Sequence, residues 1–118
     1  HLDLEVTLLG VYGGRLSTGA SDGFHSMDAF IVSLRNETEI YLAAKTEEMK
    51  QRGLNKVSFA AKQGFEADEI IATARETLDT LIAMCTHGRT GAQRWMLGSV
   101  TETVVRHSDD PVLVVRPT

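Results

Sequence analysis

Two short glycine-bearing segments hold the residues best suited to chemistry. The first is Met84-Cys85-Thr86-His87-Gly88-Arg89-Thr90-Gly91, and the second is Gly98-Ser99-Val100-Thr101-Glu102. Gly88 and Gly91 permit left-handed backbone and put no side chain between main-chain N–H groups and a ligand. A loop of that kind can form a concave nest for an anion. Ser99 and Glu102 have capping-box spacing, so a helix is expected to open there. A helix N-terminus presents unpaired N–H groups with partial positive charge, which suits phosphate. The Ser99 hydroxyl adds a donor. On this reading the first segment meets a sugar or proximal phosphate and the second meets distal phosphates. The same residues also fit a plain tight turn followed by an ordinary cap. Generic motifs do not decide between them, because neither a P-loop ending in Gly-Lys-Ser/Thr nor a G-x-G-x-x-G after a strand is present.

The other reactive side chains give weaker signals. His87 lies in the glycine loop without an evident nucleophile to serve, so general acid–base work is the minor reading. Arg89 and Arg94 are read either as phosphate partners or as exposed loop arginines. Cys85, at the end of an apolar run, reads as a small inert core residue rather than a thiol switch. His1, His25 and His107 share no ligand spacing with one another or with carboxylates, so no protein metal site is expected. Magnesium can still arrive with a nucleotide.

These segments need elements to position them. Glu5 to Tyr12 is a nearly continuous apolar run, which suits a strand buried on both faces of a parallel sheet. Gly13 to Ser26 reads as a loop, long at about fourteen residues. Met27 to Arg52 reads as a helix capped by Ser26, with Phe30, Leu34, Ile40, Tyr41, Ala44 and Met49 as its apolar positions and Gly53 as its stop. Val57 to Ala61 is a strand ending near Gly64. Ala67 to Leu78 is a helix with Ile70, Ile71, Ala74 and Leu78 facing inward. Thr80 to Met84 is a third strand, Ser99 to His107 a third helix, and Val112 to Val115 a last strand. Alternating apolar strands and helices mean parallel pairing, since parallel strands need crossovers. The predicted fold class is α/β, a doubly wound open parallel sheet with helices on both faces. Such sheets bind ligands beyond the carboxyl ends of their strands, which is where Met84 to Gly91 begins.

Bulk composition bounds the partners. A chain of 118 residues with 42% hydrophobic content suits a single domain. A net charge of −4, spread without blocks, argues against nucleic acid. One cysteine cannot form an intrachain disulfide, which fits a reducing, cytoplasmic setting. No apolar run reaches the ~20 residues that span a bilayer, so no membrane partner is expected. The opening His1-Leu2-Asp3-Leu4 has no methionine and enters a strand pattern at once, so the chain is read as lacking earlier residues.

The residues from Met84 to Val100, with Arg94-Trp95-Met96-Leu97-Gly98-Ser99 among them, are followed by Val104-Val105-Arg106-His107 and Pro111-Val112-Leu113-Val114-Val115-Arg116-Pro117. Together they resemble the C-terminal signature of universal stress proteins. The ATP-binding branch carries glycine, two residues, glycine, nine residues, then glycine and serine or threonine. Gly88, the nine residues Arg89 to Leu97, and Gly98-Ser99 fit its second part, while Cys85 stands where its first glycine falls. Glu5 to Tyr12 and Glu66-Ala67-Asp68-Glu69-Ile70-Ile71 also look like family counterparts, so the resemblance covers nearly the whole chain.

The resemblance implies the adenine nucleotide alpha hydrolase-like variant of the Rossmann-like fold. Its first strand and helix would lie before His1, along with an aspartate of the family's site. The missing strand would sit between the counterparts of Glu5–Tyr12 and Thr80–Met84. That slot is expected to be filled by further residues, by a partner chain or by re-pairing. The resemblance implies ATP or a related adenine nucleotide, with Val11 and Met84 at the adenine. Cys85, Thr86, His87, Gly88, Arg89, Thr90 and Gly91 would line ribose and phosphates, and Gly98, Ser99, Val100 and Thr101 would meet the phosphates. It also implies a homodimer paired through Val112, Leu113, Val114 and Val115. The leading expectation is a stress-response regulatory module that binds nucleotide. A dimeric scaffold that binds none is the second, and a slow ATP hydrolase the third, since no residue stands out as a base for water.

Overall fold

The structure is a computed structural model that describes residues 3–14, 24–85 and 98–116, with the side chains of Phe24 and His25 left aside. Its elements run β1 (Val6–Gly13), α1 (Phe24–Gln51), β2 (Val57–Gly64), α2 (Glu66–Arg75), β3 (Ile82–Cys85), α3 (Ser99–His107) and β4 (Val112–Val115). Strand and helix alternate as the apolar runs predict. The hydrogen-bonded strands form two parallel two-stranded ladders, β1–β2 and β3–β4. Among the described residues no ladder joins β1 to β3. The chain divides into two units, 1–65 and 66–118.

In the first unit, β1 runs beside β2 in a register from Val6↔Val57 to Gly13↔Gly64. Every β1 residue except Thr7 is at least half-buried, in keeping with its nearly continuous apolar sequence. The α1 helix packs on one face of this ladder. Gly10 marks the contact: a Cβ there would lie 2.6 Å from Thr38 Cγ2 and 2.9 Å from Leu42 Cδ1. The same approach explains which side of the helix is inward. Leu42 and Thr46 are buried and Ile31, Leu34, Thr38 and Met49 half-buried, at spacings of three and four that keep them on one stripe.

This stripe differs from the predicted one. Leu34 and Met49 are on it, but Phe30, Ile40 and Tyr41 are exposed, Ile40 by 72%, and Ala44 is exposed too. Apolar residues occur around much of α1, so their spacing alone does not mark the covered side. The helix also starts at Phe24, which places Ser26 inside its first turn rather than at a cap. Its end is as predicted. Gly53 adopts φ 107, its N–H donates to Lys50 O at 3.0 Å and the Leu54 N–H donates to Met49 O at 3.2 Å. This pair of bonds closes a helix on a left-handed residue, which glycine accepts without a Cβ penalty.

Thr46 Oγ1 is buried and finds no hydrogen-bond partner among the described residues. An unsatisfied buried hydroxyl costs about 1–3 kcal/mol, and an apolar group of the same shape removes that cost. Thr46→Val is therefore expected to stabilise the protein by about 1 kcal/mol. A urea titration checks this by a higher midpoint at unchanged slope. A lower midpoint would mean that the hydroxyl is bonded.

In the second unit, α2 and α3 pack together, and Ile71, Ala74, Ile82 and Val104 form the buried centre. Val104 is wholly inaccessible. The β3–β4 register runs from Ile82↔Val112 to Cys85↔Val115. Ile82, Met84 and Val112 face the helices, while Leu81, Ala83, Cys85, Leu113 and Val115 point the other way and are exposed. Helix α2 has Glu66, Asp68 and Glu69 in its first turn and Arg75 in its last, matching the helix dipole. It ends at Arg75, short of the predicted limit. Leu78 therefore leaves the inner face and is 91% exposed, in a turn where Asp79 takes φ 58 and Thr80 Oγ1 donates to Thr77 O.

Candidate functional site

The start of α3 is the part of the predicted site whose geometry is described. Helix α3 begins at Ser99, as predicted, but its cap is Gly98, with φ −62 and ψ 159. The Glu102 N–H donates to Gly98 O at 2.9 Å, closing the first turn. No side chain caps this end. The capping-box expectation for Ser99 is thus corrected by one position. An N-cap residue needs non-helical backbone to swing its oxygen over the turn, and Ser99 is already helical. Glu102 does not reach back either, because its carboxylate pairs with Arg106 Nη2 at 2.8 Å.

This arrangement leaves the first-turn amides open among the described residues. Among the described residues, no acceptor is seen for the N–H groups of Ser99, Val100 and Thr101. The side chains of this turn divide by face. Ser99 is exposed, Val100 is half-buried against the apolar cluster, and Thr101 is 4% exposed. Toward a ligand, Val100 and Thr101 therefore offer main-chain N–H groups, while Ser99 also offers a hydroxyl. Thr103 Oγ1 donates to Ser99 O at 2.8 Å, a contact within the helix that the spacing did not suggest. Gly98 was the missed cap, and the only signal for it was that glycine itself serves at N-caps.

The remaining predicted residues fall in different places. Met84 lies in β3 with its side chain packed on the α2–α3 cluster. Cys85 is the last residue of β3, free and exposed, and so is not the buried residue expected. Thr86, His87, Gly88, Arg89, Thr90 and Gly91 lie outside the described residues. Val11 is half-buried in β1, paired in register with Lys62, and belongs to the other unit. Val112 and Val114 of β4 are half-buried, whereas Leu113 and Val115 are 51% and 46% exposed. Among the described residues no group of three or more His, Cys, Asp or Glu side chains is placed to hold a metal ion, and no helix is long and apolar enough to cross a membrane.

Parallel strands joined by crossover helices define an α/β protein. The chain belongs to the universal stress protein family, whose profile matches residues 1–116. It is 35% identical over 95 residues to universal stress protein MJ0577 of Methanocaldococcus jannaschii, covering 77% of this chain and 58% of that protein. Against universal stress protein MJ0531 of the same organism it is 38% identical over 72 residues, covering 61% and 42%. The chain thus spans about half the length of the curated relatives it matches. The solved structure of MJ0577 superposes with TM-score 0.81 at 30% identity, covering 97% of this chain and 76% of that one. That of the hypothetical protein PH0823 gives 0.71 at 27% identity, covering 95% and 75%.

Proposed function

We propose that this chain is a regulatory module that binds ATP or a related adenine nucleotide, with or without magnesium, in a stress response. The observation that carries this reading is the N-terminus of α3, which no side chain caps and where, among the described residues, three amides and the exposed Ser99 hydroxyl find no partner. Amides aligned with a helix dipole favour phosphate without any catalytic group. Membership of the universal stress protein family supports this reading, in which Gly88 and Gly91 meet the sugar and phosphates. The reading keeps the protein a binder, with hydrolysis as the lesser alternative. The free, exposed Cys85 supports a reducing, cytoplasmic setting.

A thermal-shift series with ATP, AMP and cyclic AMP, each with and without magnesium, tests this. Ligand at 100 times its Kd is expected to stabilise by ~2.7 kcal/mol. No shift with any of them would favour a scaffold that binds no nucleotide. ATP recovered intact after long incubation would exclude the hydrolase.

The same reading includes a homodimer through β4. Its ladder to β3 occupies one edge only among the described residues, and Leu113 and Val115 are exposed beside it. An apolar edge strand invites antiparallel pairing with a copy of itself across a two-fold axis. Sedimentation is expected to show a dimer at micromolar concentration. Charge placed on this strand by Leu113→Lys should shift it toward monomer, and a monomer throughout would remove this part.

A further inference from the structure

We draw no further inference here: the strongest candidate, the apolar face of the β3–β4 ladder made by Leu81, Ala83, Cys85, Leu113 and Val115, carries nothing because nothing in the structure shows what covers it.

Discussion

Ser99→Pro is expected to lower ATP affinity by about 100-fold while leaving the protein folded. Proline fits the first position of a helix, where its fixed φ suits the turn and its missing N–H breaks no internal bond. The residue before a proline is confined to extended backbone, and Gly98 already has ψ 159. The substitution deletes one amide donor and the hydroxyl together. Each hydrogen bond to a charged group is worth about 1.5–3 kcal/mol, so a combined loss near 3 kcal/mol, or two decades in Kd, is expected. Ser99→Ala removes only the hydroxyl and should lose about tenfold. Calorimetric titration with ATP and with adenosine measures both variants, and adenosine binding should change little. Equal losses for the two ligands would put the phosphates away from α3, and an unchanged melting temperature excludes unfolding as the cause.

The second large effect concerns stability rather than binding. Gly14→Ala is expected to destabilise the first unit by about 3 kcal/mol, the upper end of ordinary overpacking costs. A Cβ on Gly14 would lie 2.4 Å from Gly64 O and 2.8 Å from the Phe65 amide nitrogen. Those are main-chain atoms at the end of the β1–β2 ladder, so no side-chain rotation relieves the contact. Gly10→Ala meets only side chains, Thr38 and Leu42, and should cost less even though both are packed. Denaturation midpoints of the two variants give the order. Gly10→Ala proving the more damaging would mean that the two strand ends separate readily.

Much of the fold was legible because its elements are separated by strong punctuation. Helix α3 and strand β4 have the predicted limits, and Gly53 ends α1 through the two bonds a glycine stop requires. The inward stripe of α1 was not legible for a physical reason. Two of its members, Thr38 and Thr46, are polar by composition, while Phe30, Ile40 and Tyr41 are apolar yet exposed. Burial there follows the close approach at Gly10, a contact between residues far apart in sequence. The site was legible in position more than in detail. Ser99 does open a helix, but the cap falls on Gly98, which carries the extended backbone of an N-cap while Ser99 is already helical. Residues Thr86 to Gly91 lie outside the described residues, so the glycine loop rests on its motif.

The pairing of β1 with β2 also bears on how the chain is made. Val6 must wait for Val57, and the roughly 50 residues between them take about 3–10 s to emerge at typical synthesis rates. For that interval β1 lacks β2 as a partner for the amides and carbonyls of that edge. Parallel sheets share this delay because a whole helix must come first. In newly made copies this edge of β1 therefore stays open to chaperone capture until α1 and β2 have followed it out.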